Sequence, residues 1–184
     1  FNKKILNSHN FTLPNNFKKK ILKDKIKNIA GFHTRNVPHK AHEWIHQLGI
    51  KKCGALLIQP LIGQYKLNEY KESIIIRTNK YLVNHVYNNT NVYFAFLNSY
   101  PRYAGPKEAI LHALIRKNFG CTHFMVGRDH AGVDKYYKLY DSQKLTKKYQ
   151  KNLGIKIITF KEPFLCKKCK LITNQKCNNC KNNN

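Results

Sequence analysis

The chain has 184 residues, and its 34 Lys and Arg against 9 Asp and Glu give a formal net charge of +25. This length predicts one domain, and 42% hydrophobic residues can build a core, which excludes a coiled coil or a largely disordered chain. The longest apolar stretches are far shorter than the roughly 18 residues of a membrane-spanning helix, so none is expected. Residues 1–11 lack the continuous apolar region of a signal peptide.

Apolar runs and breaker residues predict strands that alternate with helices. Residues 1–28 are polar and Lys-rich, with Pro14 breaking their pattern, and predict a tail or linker with a short helix that ends near Lys27. Apolar runs predict five strands, at 29–32, 55–58, 91–96, 122–126 and 155–158. Helical spacing and end signals predict further helices, from 38 to a closing Gly49, after a loop at 61–70 to about 86, at 106–117 and at 142–152.

Continuous apolar strands between helices indicate an α/β fold with a parallel sheet covered on both faces. In such a sheet, ligands bind at the carboxyl ends of the strands. Two polar segments that contain histidine and arginine lie there: residues 33–42 follow the first strand and residues 127–132 follow the fourth. We therefore expect a ligand site built from these two segments.

The first segment reads His-Thr-Arg-Asn-Val-Pro-His-Lys-Ala-His. His39 and His42 are three residues apart at a predicted helix start, so they share a face, and the positive end of a helix favours phosphate. With Arg35 and Asn36, the two imidazoles predict a cradle for a polyphosphate. Surface histidines at a helix start remain the alternative. Zinc binding by this pair is disfavoured because no third ligand lies nearby.

The second segment, Gly-Arg-Asp-His-Ala-Gly at 127–132, has glycines at both ends that allow the backbone to approach a ligand closely. Arg128, Asp129 and His130 offer charge and hydrogen bonds. The alternative is that Asp129 pairs with Arg128 only to hold the loop. A third segment, 101–108, leads into a helix and is expected to bring Arg102 or Lys107 near the same pocket.

Four cysteines near the end of the chain form the pattern C-x2-C-x7-C-x2-C, namely Cys166, Cys169, Cys177 and Cys180. Two such knuckles can close four thiolates around zinc, and the neighbouring lysines favour the thiolate form. The pattern predicts a structural Zn²⁺ site, with disulfides or an iron–sulfur cluster as alternatives. A zinc site of this kind indicates a reducing cytoplasm.

Together the segments resemble the ATP sulfurylase (sulfate adenylyltransferase) family. The family string Q-x-R-N-x-x-H-x-x-H matches residues 33–42, R-Y-A-G-P-x-E is intact at 102–108, and G-R-D-H-A-G is intact at 127–132. The resemblance implies a Rossmann-like nucleotidyltransferase fold with a small zinc ribbon at its end. It divides the chain into a linker or remnant of an N-terminal domain (1–28), a catalytic domain (29–165) and the zinc ribbon (166–184).

The resemblance implies that ATP and sulfate form adenosine 5′-phosphosulfate and pyrophosphate, with Mg²⁺ accompanying ATP. It implies that ATP contacts eight residues: His33, Thr34, Arg35, Asn36, Gly127, Arg128, Asp129 and His130. It assigns sulfate to Arg35 and the backbone N–H of Ala131. It assigns catalysis to five residues: Thr34, Arg35, Asn36, His39 and His42.

One departure from the family string is His33, which stands where the family has Gln. A neutral imidazole still donates one N–H, so we expect function to be retained, with an inactive copy as the alternative. The other alternative is a basic, zinc-containing nucleic-acid-binding module on the same fold. Because the lysines are spread along the chain, we expect no nucleic-acid or membrane partner; a homo-oligomer is compatible with the resemblance.

Overall fold

The computed structural model of the chain describes residues 12–63 and 70–175. The described residues form five α-helices, α1 (Pro14–Lys23), α2 (Lys40–Cys53), α3 (Glu72–Tyr81), α4 (Gly105–Asn118) and α5 (Asp141–Leu153), and a π-helical turn, Leu82–Val86, continues α3. The strands are β1 (Ala30–Thr34), β2 (Leu56–Ile62), β3 (Val92–Phe94), β4 (Leu97–Asn98), β5 (His123–Val126), β6 (Lys156–Thr159), β7 (Phe164–Leu165) and β8 (Ile172–Thr173). None of these helices is long and apolar enough to cross a membrane.

The main sheet has the strand order β3-β2-β1-β5-β6, and every neighbouring pair is parallel. The short β4 also pairs with β2 in parallel. The chain moves outward from β1 to β3 and then returns to β5 on the other side of β1. The predicted parallel α/β sheet is therefore confirmed, and its strand order reverses between β1 and β5, where such sheets open a crevice for ligands.

Apolar side chains pack on both faces of the sheet. One core cluster includes Ile29, Leu57 and Phe124, and the other includes Phe32 and Ile58. This alternation along β1 and β2 is what a sheet covered by helices on both sides requires. The first cluster also contains Phe17 and Ile21 of α1.

Two boundaries predicted near prolines and glycines differ in the structure. Pro14 does not break a helix but begins α1, where its missing N–H costs nothing. Helix α2 passes through Gly49 and ends at Cys53, followed by the capping residue Gly54, which has a left-handed φ of 78°. A Cβ on Gly49 would lie 2.8 Å from Met125 Sδ, so this glycine serves close packing of α2 on the sheet rather than helix termination.

Strand β2 is longer than predicted because it continues through Pro60 to Ile62. Proline is rare inside a sheet because it cannot donate to the ladder. Here the neighbouring chain is itself interrupted: the residues between β3 and β4 are Ala95 and Phe96, and the register places Phe96 opposite Pro60. The strand predicted at 91–96 is accordingly shorter, β3 at Val92–Phe94, and the short β4 follows beyond the predicted range.

A small antiparallel hairpin, β7–β8, follows the sheet. Cys166 and Cys169 lie in its turn, where the N–H of Lys170 donates to the Cys166 carbonyl at 2.9 Å. Cys166 is buried. The other two predicted zinc ligands, Cys177 and Cys180, lie outside the described residues, so the zinc ribbon stays a prediction.

Candidate active site

A cavity of about 360 Å³ opens at the carboxyl ends of β1 and β5, where the strand order reverses. All eleven residues predicted to bind ATP or sulfate or to act in catalysis line it: His33, Thr34, Arg35, Asn36, His39, His42, Gly127, Arg128, Asp129, His130 and Ala131. The two segments, residues 33–42 and 127–132, thus share one cavity, as predicted.

The first segment is held by hydrogen bonds directly after β1. The hydroxyl of Thr34 accepts the N–H of Asn36 at 3.0 Å. The buried amide of Asn79 on α3 donates to the Asn36 carbonyl at 3.4 Å and to that of Ile75 at 2.8 Å. The guanidinium of Arg35 lies 4.7 Å from the ring centroid of Tyr103, a favourable cation–π distance.

The histidine pair lies at the start of α2. His39 precedes the first helical residue in an extended conformation, so it is not within the first turn. The rings of His39 and His42 nevertheless stack, with centroids 3.8 Å apart, and share a face as predicted. Burial, with a smaller contribution from His39, lowers the pKa of His42 to about 4. His42 therefore offers a neutral imidazole at pH 7.

The second segment is bent sharply and tied to α4. Ala131 has a left-handed φ of 58°, and its carbonyl accepts the N–H of Gly105 at 2.8 Å. Arg128 forms an ion pair with Glu162, with Nη1 and Oε2 3.0 Å apart. The alternative in which Asp129 pairs with Arg128 is thus not the arrangement found. The carboxylate of Asp129 instead folds over Gly132, where any Cβ would overlap it.

Three histidine rings cluster beside the cavity. His33 stacks on His112 with centroids 4.1 Å apart, and His112 Nδ1 lies 3.0 Å from His130 Nε2. One ring nitrogen from each lies within 4.8 Å of the others, a grouping that a transition metal ion could use. Burial and, to a smaller degree, the charge of Arg116 lower the pKa of His112 to about 2 and that of His130 to about 3.

Arg116 on α4 lies fully buried next to this cluster. Its Nη2 lies 2.8 Å from His33 Nδ1 and donates to the Gln59 carbonyl at 3.0 Å. Burial lowers the pKa of Arg116 to about 9, so the guanidinium is still charged at pH 7. A buried cation at this distance opposes a metal cation between the rings, which makes the histidine cluster a poor metal site.

The segment at 101–108 supports the site in a way different from the one predicted. Neither Arg102 nor Lys107 is among the described residues that line the cavity; Arg102 is exposed and donates to the Tyr100 carbonyl at 3.0 Å. The buried carboxylate of Glu108 accepts the N–H groups of Arg102 at 2.9 Å and Ala104 at 3.0 Å. It therefore fixes the loop that carries Tyr103 beneath Arg35.

Sequence reasoning missed the segment after β6, which contributes Phe160, Glu162 and Pro163 to the cavity. A signal was available in the chain order. In a parallel sheet the carboxyl end of every strand lies at the same edge, so the residues that follow the last predicted strand belong near the ligand.

The family model that matches residues 9–184 is described as ATP-sulfurylase. The chain belongs to the ATP sulfurylase family. It is 43% identical over 150 residues to the sulfate adenylyltransferases of Ignicoccus hospitalis and Pyrococcus abyssi, in each case over 82% of this chain and 39% of the relative. The chain is 42% identical over 151 residues to the sulfate adenylyltransferase of Trichormus variabilis, over 82% of this chain and 38% of the relative. The chain spans about two fifths of the length of these relatives.

A solved structure, the hexameric APS kinase from Thiobacillus denitrificans, superimposes with a TM-score of 0.68 over 90% of this chain and 31% of its own. At 16% sequence identity this likeness concerns the fold alone. The resemblance to ATP sulfurylases that the sequence motifs suggested is confirmed by the family match. The roles of individual site residues and the zinc remain predictions.

Proposed function

We propose that this ATP sulfurylase family chain carries a sulfate adenylyltransferase site that joins sulfate to the adenylyl group of ATP. The observation that supports it best is the convergence of all eleven predicted ligand and catalytic residues on one cavity, at the sheet edge where the strand order reverses. The products are adenosine 5′-phosphosulfate and pyrophosphate.

The reaction needs positioning and charge stabilisation more than a base. A sulfate oxygen forms a bond to the α-phosphorus while the bond from that phosphorus to the bridging oxygen of pyrophosphate breaks. Sulfate is already ionised, so no proton has to be removed. Negative charge accumulates on the phosphoryl oxygens, and preorganised donors stabilise it. We assign this stabilisation to Arg35, His39 and His42.

Electrostatics favour this assignment of roles. Arg35 supplies positive charge, and the Tyr103 ring beneath it restricts its position. His42 adds a neutral imidazole to the cavity lining, because its pKa is lowered to about 4. Ala131 lines the cavity and has a positive φ, and we assign its backbone N–H to sulfate.

Magnesium in this chemistry is carried chiefly by the phosphates of ATP and by water, and it screens their charge. Among the described lining residues, the carboxylates are Asp129 and Glu162, and Glu162 is paired with Arg128. Asp129 is thus the side chain that would contact the ion. A lining with few carboxylates suits an ion that arrives with ATP rather than one held in a protein cage.

The reverse reaction tests the proposal: the purified chain is supplied with adenosine 5′-phosphosulfate and pyrophosphate, and ATP is measured. We expect ATP formation, reduced about 10²- to 10³-fold by Arg35→Ala or His39→Ala, as for loss of a transition-state donor. Arg77→Ala, at an exposed position on α3, is the matched control and should retain full activity. A folded chain that makes no ATP above background contradicts the proposal.

His33→Gln belongs in the same assay because His33 is the departure from the family string. We expect both forms to be active. Activity found only in the Gln variant would identify the natural chain as an inactive copy.

We also propose that Cys166, Cys169, Cys177 and Cys180 hold a structural zinc ion. The support is their spacing and the position of Cys166 and Cys169 in the turn of the β7–β8 hairpin. Elemental analysis should find about one zinc per chain, lost in Cys166→Ser but kept in Cys53→Ser. Bound iron would instead indicate an iron–sulfur cluster. Cysteines that react with a thiol reagent only after reduction would indicate disulfides.

A further inference from the structure

The contact between Arg116 and His33 decides which nitrogen of His33 carries a proton. His33 lies near the end of β1 and lines the cavity, and its Nδ1 lies 2.8 Å from Arg116 Nη2. A guanidinium has only N–H donors and no acceptor. Nδ1 must therefore accept through its lone pair. If the ring is neutral, its single proton is on Nε2.

The ring is neutral because of its surroundings. Burial lowers the pKa of His33 well below its usual value, and the neighbouring His112, Arg116, His130 and Arg35 lower it further. A neutral imidazole has one donor and one acceptor. The tautomer consequently decides whether the edge of the ring opposite Arg116 offers a proton or a lone pair. Sulfate and phosphate oxygens need the proton.

Arg116 is fixed in place from three sides. Nη2 also donates to the Gln59 carbonyl of β2 at 3.0 Å. Its stem packs against Gly31 of β1, where an added Cβ would lie 2.6 Å from Arg116 Cγ. Its guanidinium lies 5.6 Å from the Phe124 ring centroid of β5. Nε and Nη1 have no hydrogen-bond partner in the described residues, so the contacts of Nη2 are those that orient the group.

We propose that Arg116 is a positioning residue that holds His33 as the Nε2–H tautomer, so that the cavity receives a neutral hydrogen-bond donor for an anionic substrate. The identity of that anion rests on the proposed function. The tautomer does not, because it follows from the Arg116 contact alone.

Nitrogen NMR of the chain labelled with ¹⁵N-histidine tests the tautomer directly at pH 7. His33→Gln assigns the His33 signals. We expect Nδ1 to be unprotonated and Nε2 to be protonated in the unmodified chain. Arg116→Met, which keeps an apolar stem, should give a mixture of tautomers, whereas Arg116→Lys should restore the original form. Arg77→Met, at an exposed position, should change nothing.

Two outcomes overturn the proposal: a protonated Nδ1 in the unmodified chain, or an unchanged tautomer in Arg116→Met. The first needs no substitution of Arg116, so the proposal stays falsifiable if Arg116→Met does not fold.

The reverse assay then tests the consequence for function. Arg116→Met should lower kcat/KM about tenfold, the size expected for one hydrogen bond. In a His33→Ala background the same substitution should have little further effect, because Arg116 acts through His33. Independent, additive losses would show that Arg116 acts by another route. A correct tautomer in a chain that makes no ATP would contradict the proposed function and leave the tautomer assignment standing.

Discussion

Arg128 and Glu162 form an ion pair between the loops that follow the neighbouring strands β5 and β6. Their side chains are 40% and 53% exposed, so the pair contributes only about 0–1 kcal/mol. Arg128 is also one of the residues predicted to contact ATP. A phosphate that binds Arg128 must therefore compete with the Glu162 carboxylate.

Glu162→Gln should remove this competition. We expect the KM for pyrophosphate in the reverse assay to fall about two- to fivefold, which corresponds to the energy of an exposed ion pair. We expect little change in kcat. Glu43→Gln, which removes the carboxylate of the surface pair with Lys40, is the control and should leave KM unchanged. An equal or higher KM for Glu162→Gln would contradict the competition.

Individual residues also show where sequence reasoning stops. The segments at 33–42 and 127–132 were placed correctly because each follows a buried strand. Arg102, in an equally well matched segment, turns toward the carbonyl of Tyr100 instead. Arg116 meets His33 across 83 positions of sequence. A motif identifies the backbone that reaches the site, but the direction of each side chain depends on packing partners that are distant in sequence.

At the scale of secondary-structure elements, α4 approaches β1 closely at one point, where the stem of Arg116 lies over Gly31. The backbone of β1 at Gly31 leaves room only for the stem of Arg116, and Cys121 Sγ would lie 3.2 Å from an added Cβ. A larger residue on β1 must therefore push α4 away from the sheet or displace Arg116.

Gly31→Ala should destabilise the fold by about 1–3 kcal/mol, the usual result of overpacking a dense core. Chemical denaturation with a linear extrapolation measures this change. Gly127→Ala is the control for stability, since its added Cβ would approach only Phe160, at 4.0 Å. If the two substitutions have equal effects, the close packing of β1 against Arg116 does not limit stability.

Elements with a local cause in the sequence could be predicted, and those that depend on distant packing partners could not. Apolar runs and end signals placed α4, α5 and β5 to within about a residue, because each has a local cause, such as the left-handed Gly154 that ends α5. Gly49 misled the prediction of where α2 ends, and the second predicted strand stopped short of Pro60. Both are local breakers by type, and only their neighbours in the fold, Met125 beside Gly49 and the gap between β3 and β4 beside Pro60, make them acceptable.

Over the whole molecule, several buried histidines are kept neutral. Burial lowers the pKa of His42 to about 4 and of His46 and His130 to about 3. In the unfolded chain each would titrate near 6.5. Below that pH the unfolded state binds more protons than the folded state, so the free energy of unfolding falls as the pH falls. Above about pH 7 these histidines are neutral in both states, so they do not make the free energy of unfolding depend on pH.

We therefore expect acid destabilisation that begins near pH 6.5 and continues to about pH 3. Each such histidine contributes up to about 1.4 kcal/mol per pH unit in that window. His46→Gln, which keeps a polar group beside the Tyr87 hydroxyl 3.2 Å away, should flatten the pH dependence of the free energy of unfolding. His85→Gln, at an exposed position, should not. If the pH dependence of the free energy of unfolding is unchanged in His46→Gln, buried His46 is not a cause of the acid destabilisation.

Strand order is the whole-molecule property that the sequence left open. Alternation of strands and helices predicted a parallel sheet, but the choice of neighbours is made by pairing between distant segments, such as β1 with β5. That pairing creates the crevice in which the two predicted segments meet.

Helix α1 has a practical consequence for any shortened version of this protein. Phe17 packs edge-on against Tyr93, with ring centroids 5.5 Å apart, and also contacts Phe119. The Tyr93 hydroxyl donates to Asp24 at 2.8 Å. Removal of the residues before β1 would expose Phe119 and Tyr93 to solvent and leave an apolar surface that promotes aggregation. A truncation that is meant to keep the parallel sheet covered has to begin before Pro14.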